Sequence, residues 1–409
     1  MNHVDRITEV RIKGFKAISD ISLKLDGLTV LIGDNGSGKS TILEALEIIG
    51  RTPQSNFVSE VISRLHGGID SLLRSNAPEF LISVTIEGVN EPKIEYTIGV
   101  GKEGNYPIIT RELLTVEEVD EEDENKFLPS TLILRDRQQC QFYNQRTEYL
   151  SEIDKTPGET ILSLFGKGSG EAFQRVLNCL GSIRVHLPFD TRAAWLAAEQ
   201  NLNSPLRTPV VIERTEALDR LGSNLPNCYQ TLNLGSKAAQ EDILDRLRLG
   251  LGSDLVAITT PPAARGQIEL HLKFKSLPQT VAASNLSDGQ LNFLAFVALS
   301  ELGKGKGLMC FDEPESHLHP GLLVRQVWEL EKMGKLSPVL VSTHSDQFLD
   351  ALTDPAASVV LCELDEQRAV TLLRPDKEKL CSWLEQYRGI GQIRSEGYES
   401  QIFRSSNEQ

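Results

Sequence analysis

Gly33-Asp34-Asn35-Gly36-Ser37-Gly38-Lys39-Ser40 matches GxxxxGK followed by Ser, and it constrains this chain more than any other stretch. Its glycines let the backbone curl so that successive N–H groups point inward and hold phosphate oxygens. Such a loop needs a strand to deliver it and a helix to close it. Leu28 to Ile32 is a short apolar run, and TILEALEIIG, starting at Thr41, has apolar residues at helical spacing. The positive end of that helix dipole adds to the phosphate site. Residues Gly33 to Thr41 are therefore the candidate nucleotide-binding loop. Lys39 is placed to reach the β- and γ-phosphates, and the Ser40 hydroxyl to ligate Mg²⁺.

Three later stretches suit the same chemistry. Leu308 to Phe311 is apolar and ends in Asp312-Glu313. A carboxylate at the C-terminal end of a buried parallel strand lies where ligands bind in open α/β sheets. There Asp312 can hold Mg²⁺, and Glu313 can orient and deprotonate an attacking water. PVLVSTHSD is another strand candidate, with His344 at its polar end positioned to donate to the γ-phosphate and the water. SNLSDGQLNFLAFVAL, from Ser284, reads as a helix with Leu291, Leu294, Ala295 and Ala298 along one face. Ser287 stands at its N-cap, Gly289 keeps the approach open, and Gln290 follows, which together make a second anion site.

Ile7 to Phe15 and Ile18 to Leu25 alternate apolar and polar residues, and LISVTIEGV and IEYTIGV resemble further antiparallel strands. The expected division is residues 1–110 for the first part of a nucleotide-binding head, 111–264 for a mixed, largely helical insertion, 265–375 for the second part of the head, and 376–409 for a C-terminal appendix. The acidic run Val116 to Asn125 reads as a solvated loop. A net charge of −15 argues against a surface that coats nucleic acid. Local contacts remain open, with Arg11, Lys13, Lys16, Arg246 and Arg248 as candidates. No apolar run is long enough for a membrane span, the charged N-terminus lacks a signal core, and six scattered cysteines suit a reducing cytoplasm.

FDEPESHLHPG, from Phe311, also contains the HxH pair His317 and His319, which suggests zinc. A zinc hydrolase needs a third ligand and a supporting shell. His66, His186 and His271 are isolated in the sequence, and HExxH is absent. The acidic leaders therefore read as Mg²⁺–ATP residues, with Pro314 and Pro320 bracketing a turn before an amphipathic helix.

Phosphate loop, LSDGQ, apolar strand with Asp-Glu, and strand with His follow one another in an order that resembles the ABC-type ATPase heads. Their motifs are Walker A, signature, Walker B, D-loop and switch histidine. The opening strand with Phe15-Lys16, the sequence DEPESHLHP and the tail LCSWLEQYRGIGQI are similar to the stand-alone RecF, SMC and OLD group of AAA-type ATPases. The resemblance implies an α/β P-loop NTPase head of the ABC type: a mixed central sheet with flanking helices, an antiparallel β lobe and a largely helical insertion. It also implies ATP and Mg²⁺ as cofactors and a head-to-tail homodimer. Lys39, Ser40, Asp312, Glu313 and His344 would act in cis, and Ser287 and Gly289 in trans. An effector encoded nearby, DNA as a possible ligand, and no membrane partner complete the expectation.

The signature departs from the transporter form at Asp288, whose carboxylate is expected to turn away from the nucleotide. Gln54, Gln139 and Gln141 all remain candidates for the Q-loop residue. Two other readings compete. An OLD-type nuclease would draw on Glu363, Asp365 and Glu366, but too few residues follow His344 for a TOPRIM domain. A transporter ATPase fits poorly with the long separation between phosphate loop and signature.

Overall fold

The computed structural model describes residues 5–119, 127–137, 139–144, 149–152, 158–192, 204–303, 307–316 and 318–403. His317 and most of the acidic run from Val116 lie outside them.

A six-stranded sheet carries the motifs. Its order is β10 (Arg184–His186), β16 (Met309–Asp312), β17 (Val339–Ser342), β3 (Leu28–Ile32), β18 (Val359–Leu364) and β19 (Val370–Leu373). All neighbours run parallel except the β18–β19 hairpin. Alternate side chains of each strand enter different cores, because successive residues point to opposite faces. Leu31, Cys310, Leu340 and Val360 join one cluster, whereas Val30, Ile32, Met309, Phe311, Val339 and Val341 join the other. Burial on both faces explains why these strands read as continuous apolar runs.

The first cluster also contains helix α1 (Lys39–Gly50) and an eight-stranded antiparallel lobe. The lobe order is β2 (Ile18–Lys24), β1 (Arg6–Phe15), β4 (Glu79–Glu87), β5 (Ile94–Glu103), β6 (Tyr106–Val119), β7 (Phe127–Asp136), β8 (Gln139–Asn144) and β9 (Tyr149–Glu152). Strand β6 crosses residue 110, and β7 to β9 continue the lobe, so the region after 110 opens as sheet rather than as a largely helical insertion. Helical structure begins at Ile161, and α2 (Glu171–Gly181) then leads back to β10 in the parallel sheet. Head and expected insertion are thus interleaved through residue 186.

Helices α3 (Leu225–Leu232), α4 (Lys237–Leu251), α5 (Asp288–Leu302) and α6 (Pro320–Gly334) build the second core with two small antiparallel sheets. One sheet joins β12 (Leu255–Thr259), β14 (His271–Phe274) and β15 (Val281–Ala282), and the other joins β11 (Val210–Val211) and β13 (Gln267–Ile268). Helix α5 packs against α3, α4 and α6, and every residue from Leu291 to Ser300 is buried. The single apolar face expected for it is therefore a helix enclosed on all sides. Pro320 occupies the first turn of α6, as its fixed φ favours.

Among the described residues, no helix is long and apolar enough to cross a membrane.

Candidate active site

The C-terminal ends of β3, β16 and β17 lie side by side, which brings the loop after Ile32, the Asp312-Glu313 pair and the segment before His344 to one rim. Gly33, Gly36 and Gly38 take φ values of 143°, 81° and 98°, which disfavour any side chain. At two of them space is also closed: a Cβ on Gly33 would overlap the Cys362 carbonyl oxygen, and one on Gly38 would overlap the Val370 side chain. Asp34, Asn35 and Gly36 are exposed, Ser37 is buried, and Thr41 is half-buried in the first turn of α1.

Lys39 is buried and curls back into the loop, donating to the carbonyls of Gly33 at 2.8 Å and Asp34 at 3.0 Å. Burial lowers its pKa from the usual lysine value. An anionic phosphate offers that ammonium a stronger acceptor than two neutral carbonyls. Ser40 Oγ lies 3.1 Å and 3.2 Å from the two Asp312 carboxylate oxygens, and Ser342 Oγ also donates to Asp312. A hydroxyl and a carboxylate that already meet form an oxygen donor set suited to Mg²⁺.

Glu313 adopts φ 44°, left-handed backbone that non-glycine residues rarely take, while its N–H donates to Ser342 O at 2.9 Å. That turn aims its carboxylate at the switch side, where Glu313 Oε1 stands 3.4 Å from His344 Nε2. Burial, with Lys39 adding to it, lowers the His344 pKa, which favours the neutral ring that can both donate and accept.

Ser287 and Gln290 form a reciprocal capping box: Gln290 N–H donates to Ser287 Oγ, and Ser287 N–H donates to Gln290 Oε1. Ser287 is exposed, and Gly289 is partly exposed in the first turn of α5. Among the described residues, no hydrogen bond or ion pair joins this signature turn to the chain's own phosphate loop.

Four residues of the site escape sequence reasoning. Arg207 has a side chain only 6% exposed and donates to the carbonyls of Thr191, Ala283, Ser284 and Leu286, and to Asp288 Oδ1 at 2.7 Å. Asp288 is thereby turned to an arginine of its own chain. Ser342 completes the Asp312 environment. Glu315, its pKa raised by burial, accepts from Thr343 Oγ1, and so links DEPES to the residue before His344. Arg394, from the C-terminal appendix, approaches Asp34. The only local hint was polarity at the strand end Ser342-Thr343; the two arginines lie far from the motifs in sequence.

The remaining candidates are placed as follows. His319 caps α6, its Nδ1 accepting from Gly321 N–H at 3.1 Å. Arg11 pairs with Asp20, Lys16 with Glu44, and Arg248 with Glu241 and Asp245. Arg246 is buried between Ser300, Glu301 and Glu329, so it offers nothing to an external phosphate. Asp365 accepts from Gln367 and Ala369 N–H groups and closes the β18–β19 turn. Gln54 lies past the end of α1, and Gln139 and Gln141 lie in β8; none contacts the phosphate loop among the described residues.

Two family models match the chain. One described as "AAA ATPase domain" covers residues 6–133, and one described as "AAA domain, putative AbiEii toxin, Type IV TA system" covers residues 211–350. The chain is 26% identical over 382 residues to the Retron Ec83 probable ATPase of Escherichia coli, spanning 84% of this chain and 69% of that protein. It is 31% identical over 125 residues to the DNA replication and repair protein RecF of Mannheimia succiniciproducens, spanning 29% of each. Among solved structures, an Smc head bound to the C-winged helix domain of ScpA superposes with a TM-score of 0.52 at 14% identity, covering 92% of this chain and 99% of that one. The Smc head with an extended coiled coil, bound to the C-terminal domain of ScpA derived from Pyrococcus furiosus, gives 0.51 at 13% identity, covering 94% and 99%. At that identity the likeness describes the fold.

Proposed function

We propose that this chain, a RecF/SMC-like AAA ATPase, hydrolyses ATP to ADP and phosphate and uses the bound nucleotide as a switch for pairing with a second copy of itself. The observation that carries the reading is the convergence of Lys39, Ser40, Asp312, Glu313 and His344 on one rim of the parallel sheet. Lys39 and the loop N–H groups hold the phosphates. Ser40 and Asp312 hold Mg²⁺, which neutralises charge on the phosphates. Glu313 takes the proton of the attacking water, while neutral His344 orients that water and the γ-phosphate.

Ser287, Gly289 and Gln290 close the site from the second copy, head to tail. The absence, among the described residues, of any hydrogen bond or ion pair between signature turn and phosphate loop within one chain is consistent with this arrangement. Loss of the γ-phosphate removes the contact and releases the pair.

Likeness to a retron ATPase and to RecF supports a setting in DNA repair or in antiphage or mobile-element defence, in the cytoplasm, with a separately encoded effector. The Smc heads of similar fold are bound to domains of ScpA, which is consistent with a docked protein partner.

Steady-state phosphate release by wild type and by Glu313→Gln tests the catalytic assignment. Turnover should fall by about a hundredfold or more in the variant while ATP binding persists. Equal rates would remove Glu313 as the base.

A further inference from the structure

The C-terminal appendix reaches the phosphate loop through one arginine. Helix α8 (Ile390–Ser395) lies against α7 (Asp346–Asp350), the helix that starts two residues after His344. Several features draw the two together. A Cβ on Gly391 would overlap the Asp346 carbonyl oxygen, and one on Gly389 would press on the Asp350 carboxylate, so glycine is what permits this approach. Ile390 and Ile393 are fully buried. Asp350 accepts from Gln392 N–H at 3.0 Å and from Arg388 Nη2 at 2.7 Å.

So held, α8 projects Arg394 between the switch and the phosphate loop. Its side chain is 14% exposed and lies 3.4 Å from Asp346, 3.8 Å from Asp34 and 3.2 Å from Glu399 of α9 (Glu399–Phe403). Asp34 is the second residue of the phosphate loop, and its own side chain is fully exposed. The guanidinium thus has one partner on the loop and two on the elements that trail the switch histidine.

We propose that Arg394 is a nucleotide-binding residue that distinguishes ATP from ADP by engaging the γ-phosphate end of the nucleotide in cis, and so ties the C-terminal appendix to nucleotide state; this rests on the ATP-site reading above. A planar guanidinium beside a terminal phosphate forms charge-assisted hydrogen bonds that ADP, one phosphate shorter, does not offer. Binding of ATP would then draw Arg394 toward the loop and tighten α8 and α9 against it.

The test is equilibrium binding of Mg²⁺–AMP-PNP and Mg²⁺–ADP to the full chain in wild type, Arg394→Ala, Arg394→Lys and Lys39→Ala, with amide hydrogen exchange over residues 390–403. Arg394→Ala should weaken AMP-PNP about tenfold and ADP by less than about twofold. Arg394→Lys, which keeps the charge but not the planar fork, should recover only part of that discrimination. AMP-PNP should slow exchange over 390–403 in wild type and not in Arg394→Ala. Equal weakening of both nucleotides, unchanged discrimination, or exchange indifferent to AMP-PNP in wild type would overturn the assignment. Lys39→Ala separates the two levels: if it loses both nucleotides while Arg394→Ala discriminates normally, only Arg394 falls. If Lys39→Ala binds like wild type, the ATP-site reading falls as well.

Discussion

His186 shows what burial alone does to a side chain beside this site. It ends the edge strand β10 directly opposite Phe311, its ring stacks on that phenyl at 5.7 Å, and neither ring nitrogen has a hydrogen-bond partner among the described residues. At 3% exposure, burial pushes its pKa from the ordinary 6.5 down to about 4. Between those values the unfolded chain holds a proton that the folded chain lacks, so stability falls as pH drops through that window and levels off below it. Full loss over the window is about 3 kcal/mol. His186→Phe should flatten this part of the stability–pH curve measured by denaturant unfolding, whereas an unchanged slope would show that other groups cause it. At this scale, legibility followed locality. Lys39 and Ser40 open the helix after the glycine loop, Asp312, Glu313 and His344 lie at or just past strand ends, each within a local motif, and the structure gathers them. Arg207 and Arg394 act through partners distant in sequence, and no local pattern marks an arginine that will bond to remote carbonyls or loop carboxylates.

Elements show the same division. Strand–loop–helix around Gly33 was readable because periodicity changes sharply on either side of the glycines. Continuation of the lobe through β7 to β9 was not, since strands that pair sequentially in a ribbon beyond residue 110 carry weaker alternation than the helical stretches after Ile161. Three-residue β10 was invisible, as its parallel pairing with β16 depends on residues more than a hundred positions away. The start of α5 illustrates how an element can need outside support. Its capping box satisfies two N–H groups, yet the preceding turn Ala283–Asn285 leaves carbonyls facing inward, and Arg207 gathers two of them together with the Leu286 carbonyl and Asp288. Asn292 of α5 also donates to Ser316 O, linking the signature helix to the DEPES segment. Arg207→Ala should cost about 2 kcal/mol of stability in thermal or denaturant unfolding. It should also lower ATP-dependent association without changing nucleotide affinity of the separate chains. Asp288→Asn on that background should return part of the stability by removing an unpaired carboxylate. Loss of nucleotide affinity equal to the loss of association would place Arg207 at the phosphate loop instead of at the signature.

For the whole molecule, two cores share one sheet, so motifs far apart in sequence end on one rim, and among the described residues no hydrogen bond or ion pair joins the signature turn to the phosphate loop. The proposed site is completed by a second copy. It was legible from motif order only through the family resemblance, because nothing in local periodicity says how far apart a loop and a helix start will lie after folding. Two variants disable different halves: Lys39→Ala removes the phosphate lysine, and Ser287→Arg blocks the signature turn. Each should be inactive alone. When they are mixed in equal amounts, half of the pairs combine both chains, and each such pair regenerates one intact site of two. Phosphate release by the mixture should therefore recover to about a quarter of the wild-type rate. A mixture no more active than its two parents would contradict a shared ATP site.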